Sequence, residues 1–167
     1  MIRSYAIAAA AIVAFAGTNA WAADPLPSES HKMLTAALAV EAAQAAVAAC
    51  KAQGYNVTVT IVDRTGLPKI VLVGDGARPL TLEVTRRKAY TSAMQRVSTG
   101  DYTKRVSNPG AFNPGQFDPE LTTGQGGLPI KVGDDTIGGI AAAGAPGGDK
   151  DEACAQAGLQ KIKDGLN

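Results

Sequence analysis

Beyond an apolar opening stretch, the spacing of hydrophobic and polar residues changes period several times, and each change marks an element. From Leu34 the period is helical. Residues 36–52 hold ten alanines, the strongest helix former, with Leu34, Leu38, Val40 and Val47 as the apolar stripe, and Gly54 ends the helix after Lys51. Residues 56–63 set Val57, Val59 and Ile61 against Thr58, Thr60 and Val62, which predicts a strand with one face in the core. Arg64-Thr65-Gly66 then turns the chain, and 69–73 returns as the second arm of a hairpin. After Gly74, Gly76 and Pro79, residues 80–97 repeat Ala89, Ala93 and Val97 at four-residue spacing, with Tyr90 and Met94 alongside. That is a second helix, followed by a shorter one over 100–106. A second hairpin is predicted from 128–132 and 136–143 around Gly133-Asp134-Asp135, with Gly138 and Gly139 marking a bulge or a close backbone approach. The last helix begins near Asp149, where Asp149 and Glu152 have capping-box spacing.

Two hairpins interspersed with helices do not make a parallel, doubly wound sheet; the class is α+β with a mainly antiparallel sheet. Residues 107–127 stand apart. This run of Pro, Gly, Asn and Thr is longer than connections in compact domains usually are, and long loops tend to be functional or disordered. It holds a tandem repeat, Asn108-Pro109-Gly110-Ala111-Phe112 and Asn113-Pro114-Gly115-Gln116-Phe117, in which each Pro-Gly suits a type II turn. Each turn would present a phenylalanine. Phe112 and Phe117 either fold back on the core, form a ligand lid or make a subunit contact.

Composition changes the picture at the N-terminus. Arg3, an alanine-rich apolar run over 5–17 and the small-x-small triplet Ala20-Trp21-Ala22 read as a secretory signal peptide over residues 1–22, too short in its apolar run to span a bilayer. Residues 23–33, with Pro25, Pro27, Ser28 and Ser30, read as a flexible leader, and 34–167 as a single domain. The expected location is periplasmic or secreted, with no membrane insertion once the signal is removed. Phe112 and Phe117 are then the only phenylalanines left, and no tryptophan remains. Export makes a disulfide permissible between Cys50 and Cys154, the only two cysteines; the alternative is two buried thiols.

Special chemistry is scarce. One histidine, His31, lies in the leader, where it is a solvated linker residue or a metal or haem ligand. One His and two Cys cannot supply a zinc site within a chain, and this scarcity favours a binding fold over a catalyst. The Gly-rich turn at 144–148 precedes a helix, but Asp149, Asp151 and Glu152 would repel a phosphate there. The sequence is close to neutral overall, yet residues 86–105 carry Arg86, Arg87, Lys88, Arg96, Lys104 and Arg105 against Asp101 alone. This is either a solvated helix face or a site for a small anion; without interleaved aromatics beyond Tyr90 and Tyr102 it does not suit nucleic acid.

Several stretches together resemble the GlcG/HbpS family, the haem-binding or haem-degrading domain: V-T-I-V-D-R-T-G from Val59, R-K-A-Y-T-S from Arg87, G-G-L-P-I from Gly126, residues 137–140, and D-E-A-C-A-Q-A-G from Asp151. The resemblance spans about residues 34–162. It implies a sheet of about five antiparallel strands with helices packed on it, adjacent first and last helices, which would bring Cys50 and Cys154 together, and a homo-oligomer. It further implies a small-molecule ligand, haem or a related anionic tetrapyrrole, with contacts at Arg87, Lys88, Tyr90 and Thr91 on the helix and at Gly126, Gly127 and Pro129 opposite, Phe112 and Phe117 adding the loop. Thr91 is the expected residue facing haem iron, with Tyr90 as the nearest alternative. Two other readings remain: an accessory protein or enzyme acting on small organic acids, and a structural homo-oligomer anchored by Phe112 and Phe117.

Overall fold

The structure is a computed structural model that describes residues 32–166. The expected signal peptide, His31 and nearly all of the expected leader lie outside the described residues. Helix α1 (Ala36–Lys51) starts where the Thr35 hydroxyl accepts the Leu38 N–H at 3.3 Å. There follow β1 (Thr58–Asp63), β2 (Pro68–Val73), α2 (Leu80–Gln95), α3 (Thr99–Val106), β3 (Gly127–Val132), β4 (Asp135–Ala143) and α4 (Gly148–Ile162). The sheet order is β2-β1-β4-β3, antiparallel throughout. It has four strands, the two hairpins read from the pattern, one fewer than the family resemblance implies.

The sheet is covered on both sides. Val57, Val59, Ile61, Ile140 and Ala142 face α1 and α4. Val62 and Ala141 pack with Ala89 and Ala93 of α2 on the other side. The expectation that β1 has a single core face is therefore corrected. Thr58 and Thr60, fully buried, hydrogen-bond the hydroxyls of Thr81 and Thr85 on α2 at 2.7 and 2.8 Å. The threonines look like a solvent face in the sequence because their hydroxyls are polar, but paired hydroxyls can be buried.

A core built of small residues brings backbones close. At Gly139 an added Cβ would lie 2.3 Å from the Ala89 carbonyl oxygen, and at Gly158 it would lie 2.6 Å from that of Ala42. These glycines let α2 meet β4 and α4 meet α1. Cys50 and Cys154, both fully buried, are joined in a disulfide across the α1–α4 contact with Cα atoms 5.5 Å apart.

Two local expectations also change. Helix α4 begins at Gly148 behind Gly147, with no side-chain cap, so Asp149 and Glu152 do not form a capping box. Helix α2 stops at Gln95 rather than 97, because Arg96 takes a left-handed conformation (φ 60°).

The disulfide closes a loop of 104 residues, worth about 4–5 kcal/mol in the chain-entropy model. Replacing Cys50 and Cys154 together by alanine is expected to lower stability by about 2–5 kcal/mol in urea unfolding; a loss under about 1 kcal/mol would contradict this.

Candidate functional site

Three of the residues singled out on α2 reach toward one feature, the 107–126 loop. Arg87 is half-buried, and its guanidinium donates to the carbonyls of Pro119, Glu120 (3.3 Å) and Leu121 (3.1 Å). The Tyr90 hydroxyl donates to the Asp118 carboxylate at 2.9 Å. Burial pushes the Tyr90 phenol up from its usual pKa, and the bond to Asp118 pushes it further. Thr91 is fully buried, its hydroxyl accepting the Thr122 N–H at 2.9 Å. Three of the expected ligand contacts are thus fastenings of the loop.

Lys88 goes deeper. Its side chain and that of Asp151 are 6% and 7% exposed, their charged atoms are 2.9 Å apart, and the ammonium also donates to the Ala142 carbonyl at 3.2 Å. The other carboxylate oxygen of Asp151 accepts the Ala145 N–H. Gly126 closes over this pair: its φ is +124°, and a Cβ there would lie 2.7 Å from Asp151 Cβ and 2.9 Å from Lys88 Nζ. Gly127 passes equally close to the Lys88 carbonyl, and its N–H donates to the Thr99 hydroxyl at 2.9 Å. Pro129 is half-buried on the edge strand β3.

The basic stretch is largely paired within the chain. Arg86 binds Glu83 and Glu120, Lys88 binds Asp151, and Lys104 binds Asp101. Glu83, Glu120 and Asp151 lie outside the 86–105 window, so its count of charges overstated the field. Arg105 is exposed and lies over the Tyr102 ring, 5.4 Å from its centroid.

The loop itself is built, not loose. The first Pro-Gly makes a turn with Gly110 at φ +78° and Ala111 N–H bonded to the Asn108 carbonyl, as expected. The second departs from the repeat, since Pro114–Gln116 forms a 3-10 turn capped by the Asn113 side chain, which also accepts the buried Tyr102 hydroxyl at 3.2 Å. Phe112 and Phe117 do not fold back on the core. They are 70% and 77% exposed and stack on each other with centroids 5.8 Å apart.

Against known proteins, residues 34–160 match the family described as haem degrading protein HbpS-like. The chain belongs to this family. HbpS itself, a solved structure, is 35% identical, with a TM-score of 0.75 over 83% of this chain and 96% of that one. A protein of Klebsiella pneumoniae, ORFY, shares the fold at 20% identity and a TM-score of 0.76, over 84% and 98% of the two chains. A PduOC:heme complex is 23% identical with a TM-score of 0.71, over 78% and 96%. No curated protein matches the chain.

Removing one partner of a buried ion pair strands the other charge, so Lys88→Met is expected to cost about 3–5 kcal/mol, with Lys88→Met/Asp151→Leu recovering much of it. Thermal unfolding of the two variants checks this; equal losses would show that the loss comes from packing rather than stranded charge.

Proposed function

We propose that this is an exported protein that binds haem or a related anionic tetrapyrrole, held on the aromatic face of the 107–126 loop. The observation that carries the reading is the stacked, exposed pair Phe112 and Phe117 on a loop fastened through Arg87, Tyr90, Thr91 and Tyr102. Two phenylalanines held in water by a braced loop form an apolar surface awaiting a partner. Arg105, on the adjoining α3, supplies an exposed guanidinium for a propionate. Membership of a family described as haem degrading and likeness to a protein solved as a heme complex support the choice of ligand.

The exposed ring pair and Arg105 suit the ring and carboxylates of such a ligand, while the described residues expected nearest the iron are engaged elsewhere. Thr91 is shut inside the loop joint, the Tyr90 phenol is kept protonated by burial and by Asp118, Tyr102 is buried, and both cysteines are in the disulfide. No iron ligation by these groups is inferred.

The binding surface also points to assembly. Two cavities among the described residues, of about 220 and 200 Å³, are smaller than the roughly 300–1,000 Å³ of enclosed small-molecule sites. A macrocycle is accordingly placed on the surface of the loop, where a second copy could cover it. Exposed Val71 and Val73 on the edge strand β2, with Leu80 and Leu82 at the start of α2, give a homo-oligomer an apolar face. Export is supported by the signal-like stretch and the disulfide.

Titration in the Soret region tests the proposal. Haem is expected to give a saturable shift at micromolar concentration, and iron-free protoporphyrin to bind within about threefold as well, because ring and carboxylates carry recognition. Phe112→Ser/Phe117→Ser should weaken both about tenfold without unfolding the protein. No saturable change with haem overturns the function; haem binding without protoporphyrin binding overturns its placement; altered assembly with unchanged binding favours the structural-oligomer reading.

A further inference from the structure

We infer that α2, α3 and the 107–123 part of the loop form a layer that opens away from the sheet as one cooperative unit, leaving the α1–α4 side of the fold intact. The two sides of the sheet are built differently. Toward α1 and α4 lies an apolar core that includes Val57, Val59, Ile61, Ile140 and Ile162, closed by the Cys50–Cys154 disulfide. Toward α2, the buried apolar cluster among the described residues is Val62, Ala89, Ala93 and Ala141, with Met94 at its margin.

What holds α2 down is chiefly polar. Five of its seven buried residues are Thr81, Thr85, Lys88, Thr91 and Ser92, while Leu80 and Leu82 are exposed. Thr81 and Thr85 pair with Thr58 and Thr60, Lys88 pairs with Asp151, and the Ser92 hydroxyl donates to the Leu128 carbonyl at 3.1 Å. Each of these groups regains water when the layer lifts, so such pairs contribute little net resistance to opening. Lys88 and Asp151 are hydrated together, and neither charge is stranded.

Helix α2 is also poorly supported by its own sequence. It contains three threonines and a valine, whose branched side chains lose rotamer freedom in a helix, and its N-terminus has no side-chain cap. The Thr85 and Ser92 hydroxyls bond back to the Thr81 and Ala89 carbonyls, competing with the helical ladder. Off the sheet, α2 does not keep its shape. The loop fastened to it through Arg87, Tyr90 and Thr91 then loses its support, and α3 is tied to that loop through Tyr102–Asn113 and Thr103–Thr123. These links make the opening all-or-none across the layer.

The disulfide separates this event from global unfolding. It joins α1 to α4 and stays in place when the layer lifts, so it stabilises the protein only against complete unfolding. A ligand on the outer face of the loop holds the layer down. That consequence rests on the tetrapyrrole reading: bound haem then raises the protection of α2 amides it does not touch.

Native-state amide hydrogen exchange of the full domain in increasing urea is the test. The amides of 84–95 in α2 and that of Thr122 are expected to share one protection factor, about a hundredfold below that of 40–50 in α1, with a shallower urea dependence. Replacing Cys50 and Cys154 together by alanine should narrow this gap about tenfold or more, because it weakens α1 protection and leaves the opening of the layer as it was. Haem binding detected in the Soret region without added protection in α2 counts against the ligand's placement on the loop. The inference itself is overturned in the free protein: by equal protection and urea dependence in α1 and α2, by different protection in α2 and at Thr122, or by a gap that the disulfide variant leaves unchanged.

Discussion

The Lys88–Asp151 ion pair is the joint on which the other arrangements depend. Taking an ammonium and a carboxylate out of water costs several kcal/mol per ion, and their attraction offsets this only when further hydrogen bonds complete both groups. Here they do, through the Ala142 carbonyl and the Ala145 N–H. The pair joins α2, which covers one face of the sheet, to α4, which covers the other, at the end of β4. Gly126 fits over it because any side chain would occupy the space of Lys88 Nζ. The loop therefore enters β3 at one fixed place.

From that place the loop is fastened backward along α2, residue after residue. Arg87, Tyr90 and Thr91 hold its 118–122 part, and Tyr102 of α3 holds Asn113. Chain entropy normally leaves a Pro- and Gly-rich segment of this length mobile. Here the fastenings offset it, and the cost of ordering two exposed phenylalanines has already been met before any ligand arrives. Preorganisation of this kind raises affinity without adding contacts.

Much of the fold was legible in the sequence. Each helix and strand begins within about two residues of the pattern that announced it, and all but the last helix, whose end was not read, also end so, since alanine content, β-branched alternation and glycine punctuation are local signals. What was hidden depends on partners far along the chain. Thr58 and Thr60 looked solvent-facing until Thr81 and Thr85 supplied their hydrogen bonds. The R-K-A-Y-T and G-G-L-P stretches, paired in the sequence reading, lie against each other where Gly126 and Gly127 meet Lys88. Their partners within the chain were not legible, because a charged or hydroxyl side chain in sequence gives no sign of which internal carbonyl or carboxylate it will meet. The Phe pair was visible as a repeat, but its exposure was not.

The central claim is that the α2 residues brace the loop and leave ligand recognition to its outer face. Amide hydrogen exchange with and without bound haem tests it most directly, read at Thr122, whose N–H is held by Thr91 inside the joint. The account predicts that Thr122 and its neighbours keep or increase their protection when haem binds. Loss of protection there on binding would mean that the loop lifts away and Thr91 is released toward the ligand, and would contradict it.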